Sequence, residues 1–569
     1  MNKRVLGFVS FLLLIIVVTW ASSFSAAQVT KQKFLSPVAR FSKAVAFDVS
    51  PAVRDLPLSM QAPTPSEDRE IRPEPGVTVV DRGFSGDGAV QRTSARLGRS
   101  GVNIPSPLVS FEGLSNQNNF EIFGFRVNPP DSNGQVGPNH FVEMINLVFG
   151  VFDKQGNLLS GPTAIGDLWT GFAIPDCTDP SGDPVVLYDH LTDHWLLSQF
   201  TTRGPIFYNC VAISQTGDPT GAYFRYAFSA GEFFPDYPKY GNWPHTYLLT
   251  SRDFGPNDEY GISVYGLERD KMVIGDPNAR SVKFFLDSAQ IPLYLIGDGL
   301  LPADLDGSAL PTSGVPAPIV GTMDDGAFYG APFDALNIWD LSVQWKAKPV
   351  ASIVLAAQLP VAAFDSIFPC SPGSRDCLPQ PGISNPDQYL DILSYRQRPT
   401  FRLAFRKFGT TYSMVTNQSV EAAPATAGVR WYEIHRDANG YSLYQQGTFA
   451  PDDGVHRWMG SIAQDHRGNA AVGYSVVNAT DVFPGIRYTG RLKNDPLGQM
   501  TLGEGTIIDG SGVQTTTNSR WGDYTSMAVD PTDDCTFWYT NEYYTLAGQL
   551  SSRAGWQTRI ASFQLPGCQ

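Results

Sequence analysis

The chain has 569 residues, a formal net charge of -14, 12% aromatic residues and 17% charged residues. An acidic chain has no broad attraction to phosphate backbones or anionic lipid, which argues against nucleic acid and anionic membrane surfaces as partners. Low charge density with 54 glycines and 43 prolines describes a β-rich chain with many turns, as several ordinary domains or one large closed array.

In chain order, Lys3 and Arg4 precede an apolar run from Val5 to Ala21, followed by small residues at Ser25 and Ala27. That is the pattern of a secretory signal over residues 1–27, with an uncleaved anchor as the alternative. No second long apolar run follows, so no membrane span is expected after cleavage, and the expected location is extracellular or periplasmic. Residues 28–110 are broken by Pro, Gly and charge, as in "QAPTPSEDREIRPEPG", and cannot bury enough apolar surface to fold alone. They read as an irregular, extended leader, within which "AVAFDVSPAVRDLP" is apolar enough to dock as a strand on another element.

From 111 to 569 the texture is uniform: short apolar or aromatic runs separated by Asp, Gly, Asn and Pro. "VFDKQGNLL", "LYDHLTDHWLL", "AQDHRGNAAV" and "AVDPTDDCTFW" each read strand, Asp, polar turn, strand. An Asp opening such a turn accepts backbone N–H groups, and Gly, Asn or Asp tolerates the left-handed backbone that reverses the chain. Helical spacing is scarce; "FDALNIWDL" is the best short candidate and reads equally as strand.

Over these hairpins lies a longer repeat. "RWMGSIAQDH" at 457–466 and "RWGDYTSMAVDP" at 520–531 share Arg-Trp followed by Ser-apolar-Ala-x-Asp. Repeats of roughly fifty to sixty-five residues built from hairpins fit four-stranded blades around an axis. The expectation is an all-β propeller of seven four-stranded blades, with six or eight left open. Ser461 and Ser526 would stand on inner strands near the axis.

"PPDSNGQVGPNHFVEMIN", "DPVVLYDHLTDHWLLSQF", "ISQTGDPTGAYFRYAF", "HRWMGSIAQD" and "RWGDYTSMAVDPTDDCTFWYTNEYY" resemble a family of secreted bacterial β-propeller proteins distantly similar to sialidase-type (BNR-repeat) domains. The resemblance runs from Phe111 to Cys568 and implies the propeller without implying an activity. Two departures stand out: Asp193-His194-Trp195 replaces the expected Asp-Arg-Trp, and Gln135 replaces a second acid in the "DSNG" loop.

An extracellular glycan or protein ligand is expected at the axial face, bound by a monomer. The loops carrying "PKYGNWPHTY", "HRWMG" and "RWGDY" would bring Tyr240, Trp243, Arg457, Trp458, Arg520, Trp521, Asp523 and Tyr524 there. Sialidase-like chemistry would draw on Arg457, Arg487 and Arg520 for a carboxylate, with Tyr524, Asp523 and Glu542. The Arg-Ile-Pro start and the full Asp-box turn are absent, so no catalytic residue is assigned. Binding is favoured over a sialidase-like glycoside hydrolase or lyase. The plain alternative for Arg-Trp is a cation–π pair between blades.

Asp131 and Asn133 in "DSNGQVG", and Asp304 and Asp306 in "DLDG", alternate like calcium ligands. An EF-hand would need Gly and Glu where Val136 and Val142 stand, so calcium is weighed against ordinary Asx turns. His190 and His194 flank a hairpin turn without a third ligand, which favours turn residues over zinc. Asn417 and Asn478 match the glycosylation acceptor pattern. The six cysteines suggest three disulfides in an exported chain. Sequential pairing is expected (Cys177–Cys210, Cys370–Cys377, Cys535–Cys568), each joining neighbouring strands or closing one loop.

Overall fold

A computed structural model describes residues 37–57, 69–70, 83–93, 103–179, 182–370, 375–392 and 397–568. The expected secretory signal, and much of the expected leader, lie outside the described residues. Strands hold 48% of the described residues and helices 7%, so the described part of the molecule is all-β. "FDALNIWDL" is strand from its third residue onward, within Ala335–Gln344.

The strands fall into four-stranded antiparallel meanders. In chain order their first strands are Asn133–Val136, Val185–Asp189, Phe234–Trp243, Leu301–Leu305, Thr400–Phe408, His456–Gln464 and Ser526–Val529. Each first strand packs against the next, and the last packs against the first, so these strands form a closed inner ring. Ala303 lies opposite Leu403 in a parallel pairing, which gives the two strands the same direction about the axis. This is a β-propeller. The final sheet takes its fourth strand, Val109–Ser115, from the N-terminal side of the ring, paired antiparallel with Gln557–Gln564. The ring is thus closed by residues from both ends of the fold.

Local chemistry explains the hairpins. Asp153 accepts the N–H groups of Gln155 and Asn157, and Asp465 those of Arg467 and Asn469, each at 2.9 Å. The repeated serines explain the longer period. Ser461 Oγ accepts the N–H of Met527 at 3.0 Å, and Ser526 Oγ donates to the Gly134 carbonyl at 2.7 Å. Each serine therefore binds the next inner strand, where a larger side chain would hold the strands apart. Apolar clusters fill the spaces between neighbouring sheets: Leu187, Val211 and Tyr226 of the second meet Tyr240, Leu249 and Tyr265 of the third. Each such side chain contributes roughly 1.5–3 kcal/mol when fully buried.

Parts of the leader lie on the outer edges. Arg40–Lys43 pairs with the outer strand of the third sheet and Ala46–Val49 with that of the second. Asp48 grips Arg225 with two bonds of 2.7 and 2.6 Å. The apolar stretch around Ala46 thus docks as an extended strand, covering edges that would otherwise present unpaired backbone. The three disulfides are Cys177–Cys210, Cys370–Cys377 and Cys535–Cys568. Among the described residues no helix is long and apolar enough to cross a membrane.

Candidate functional site

The axis has two mouths: an upstream one where the inner strands begin and a downstream one where they end. At the upstream mouth, residues from five sheets converge. The main-chain N–H of Tyr237 and the hydroxyl of Tyr524 both donate to Asp183 Oδ2, at 3.1 and 2.7 Å. The Asp131 N–H donates to the Gly522 carbonyl at 2.9 Å. The Tyr237 and Tyr524 rings lie 5.2 Å apart, and Lys239 Nζ sits 3.4 Å from the centre of each. The Arg398 guanidinium lies 3.7 Å from the centre of the Tyr237 ring, and Arg520 pairs with Asp523.

The backbone here is unusual. Asp131, Asp183, Tyr237 and Asp523 all have φ between 49° and 65°. A left-handed tyrosine is rare, and such strain persists where surroundings hold it, often at functional sites. Burial, reinforced by the facing Asp183, raises Asp131 well above the usual carboxylate range. Burial pushes Lys239 well below the ordinary lysine range despite the acids around it. Arg398 is 3% exposed, and among the described residues its Nη1 and Nη2 have no hydrogen-bond partner. An unpaired guanidinium at such a depth is costly, so this arrangement suits an arriving acceptor or anion.

Of the eight residues expected to bind ligand, Arg520, Asp523 and Tyr524 stand at this mouth. The other five do not. Trp458 and Trp521 are fully buried and pack together with ring centroids 5.5 Å apart. Trp521 also stacks on Tyr544 and donates to Ser475 Oγ at 3.0 Å, so both tryptophans are core residues rather than open stacking surfaces. Arg457 turns away from the axis along its own sheet, bonded to Glu504 at 2.8 Å and Asp453 at 2.7 Å. Arg487 joins Glu504 at 3.1 Å, so the expected arginine cluster splits between two places. Tyr240 is core, and Trp243 lies at the downstream end beside a cleft of about 590 Å³ between the third and fourth sheets. Tyr524 bonds Asp183 rather than Glu542; Glu542 instead accepts the Gly522 N–H at 2.8 Å, with its acidity suppressed by burial. Asp183, Tyr237, Lys239 and Arg398 escaped sequence reasoning, because no local motif marks them.

The two pairs weighed as calcium ligands, Asp131 with Asn133 and Asp304 with Asp306, stand in different places and are engaged by protein groups. Asp131 is at the upstream mouth, and Asn133 Oδ1 accepts the Val186 N–H at 2.8 Å. Asp304 and Asp306 lie downstream beside a cavity of about 310 Å³. Arg402 binds them at 2.7 and 2.6 Å, supplying the positive charge a metal ion would have brought. These donors do not fit a calcium cage, which needs six to eight oxygens about one point. His190 bonds the Gly307 carbonyl at 2.8 Å from its hairpin turn. Asn417 is fully buried, and Asn478 uses its side chain to cap the turn to Val482.

No protein-family model and no curated protein sequence matches the chain. Among solved structures it is similar to the GH93 alpha-L-arabinofuranosidase of Fusarium graminearum in complex with arabinobiose. That likeness has a TM-score of 0.33 at 11% identity, covering 67% of this chain and 93% of that one. It is also similar to a Hadza microbial sialidase (TM-score 0.32, 9% identity, 75% and 73% covered). A thermostable family-43 glycoside hydrolase matches with a TM-score of 0.25 at 15% identity, covering 56% and 94%. The closed inner ring, rather than these likenesses, defines the fold.

Proposed function

We propose that the protein is an exported β-propeller that binds an acidic glycan at its upstream mouth without turning it over. The observation that carries this reading is Arg398, a buried guanidinium two of whose nitrogens lack a hydrogen-bond partner among the described residues, set over the ring of Tyr237, on which Lys239 also packs. A uronate, sialate or sulfate group would complete the guanidinium's hydrogen bonds in a forked geometry. Export is supported by the signal pattern and by three disulfides.

The test is an array of acidic and neutral glycans, read with the wild type and Arg398→Met. Acidic glycans should bind selectively. Arg398→Met should weaken them at least about tenfold, as expected from a charge-assisted bond contributing roughly 1.5–3 kcal/mol. Equal binding of both classes by both proteins would sink the reading. One observation favours a second reading, hydrolysis: burial and the neighbouring Asp183 shift Asp131 upward from the ordinary carboxylate range, the direction a general acid requires. Turnover of a chromogenic glycoside by the wild type, abolished in Asp131→Asn, would replace binding with catalysis.

A further inference from the structure

A cluster far from the axial mouths has its own chemistry. Cys535 immediately precedes the second strand of the last sheet, Thr536–Tyr543, and Cys568 follows its third, Gln557–Gln564. Their disulfide staples the sheet that closes the ring. His466, in a turn of the preceding sheet, reaches across so that Nδ1 lies 3.4 Å from Cys535 Sγ and 3.6 Å from Cys568 Sγ. One carbonyl anchors both the ring and the backbone of His466. Its Nδ1 and its main-chain N–H approach the Asp534 carbonyl at 3.0 and 2.9 Å.

We propose that these three residues form a zinc site once the disulfide is reduced. The one nitrogen and two sulfur donor atoms already lie within 4.8 Å of one another. In a tetrahedral zinc site, Zn–S of about 2.3 Å and Zn–N of about 2.0–2.1 Å place nitrogen and sulfur roughly 3.5 Å apart. Both present separations match that edge. The sulfurs must part, and Nδ1 must exchange the Asp534 carbonyl for the metal. Their Cα atoms, 5.6 Å apart, let side-chain rotation achieve this without moving either strand. His/Cys donor sets are the ones zinc takes, with water completing the fourth position.

The chemistry balances with a phosphine as reductant. Disulfide, phosphine and water give two thiols and a phosphine oxide. Each thiol then loses its proton to become a zinc thiolate, so two protons leave per ion from sulfur. His466 moves its remaining proton from Nδ1 to Nε2 and binds neutral. The same three residues would therefore hold the last sheet closed in either redox state, by a covalent bond when oxidised and by a metal when reduced.

The test uses the full chain reduced by a phosphine, with and without one equivalent of Zn(II), then alkylated and mapped by mass spectrometry. Zinc should protect Cys535 and Cys568 but not Cys177, Cys210, Cys370 or Cys377. Co(II) in place of zinc should give a thiolate-to-metal absorption band that zinc discharges. His466→Ala, whose disulfide and fold are checked first in the oxidised protein, should lower zinc affinity by on the order of 10- to 100-fold. Equal alkylation of Cys535 and Cys568 with and without zinc overturns the site. So does equal protection of all six cysteines, or protection unchanged in His466→Ala.

Discussion

Trp521 shows how a residue can be conspicuous in sequence and still belong to the core. It is wrapped by Trp458, Tyr544 and Ser475, so its indole serves the packing between the last two sheets. Trp521→Ala should destabilise the protein by roughly 3–5 kcal/mol through the cavity it leaves, read as a lowered urea midpoint. A midpoint within error of wild type would show that the indole is not packed as described. Arg457 is a similar case. Replacing it with Met removes the partner of the part-exposed Asp453 and one of the two cations on Glu504, which keeps Arg487, a loss of roughly 1.5–3 kcal/mol for charge-assisted bonds. That variant should leave ligand binding by the folded protein intact, because Arg457 points away from the upstream mouth.

At the scale of elements, the seam between the first and last sheets carries a titratable group. Glu143, in the second strand of the first sheet, is fully buried. It accepts bonds from the Leu114 N–H at 2.7 Å, the Thr540 hydroxyl at 2.5 Å and the Thr558 hydroxyl at 3.1 Å, all in the last sheet. Burial outweighs these bonds and raises its pKa from 4.5 to about 7. Between those values the folded chain holds a proton that the unfolded chain has lost, so stability falls as pH rises from about 4.5 through about 7. The loss reaches about 3 kcal/mol on the alkaline side. Glu143→Gln should remove this slope and be the more stable protein at pH 8 but not at pH 4. Parallel pH dependence of the two unfolding midpoints would count against a buried charge at the seam.

For the whole molecule, the decisive feature is closure of the ring by Val109–Ser115 and by the Cys535–Cys568 bond. A disulfide spanning 33 residues contributes about 3–4 kcal/mol in the chain-entropy model. Replacing both cysteines with serine should lower unfolding stability by about that much. An unchanged midpoint would mean that strand pairing alone keeps the last sheet in register.

What was legible in the sequence was local or repeated. Asp153 and Asp465 announced hairpins because an Asx turn needs only the next few residues. The two Arg-Trp phrases announced a period because equivalent sheets meet equivalent neighbours. Consecutive cysteines were paired correctly because each pair joins nearby segments of chain. The upstream mouth was not legible. Asp183, Tyr237, Lys239 and Arg398 sit in unrelated stretches, and only the closed ring brings them within reach of Tyr524. Nor could the repeat say which way its tryptophans face. Successive residues of a strand point to opposite sides, and burial against the next sheet is decided by that sheet. Turn chemistry, period and disulfide order depend on neighbours along the chain. The site depends on neighbours across the axis, which one strand's residues do not specify.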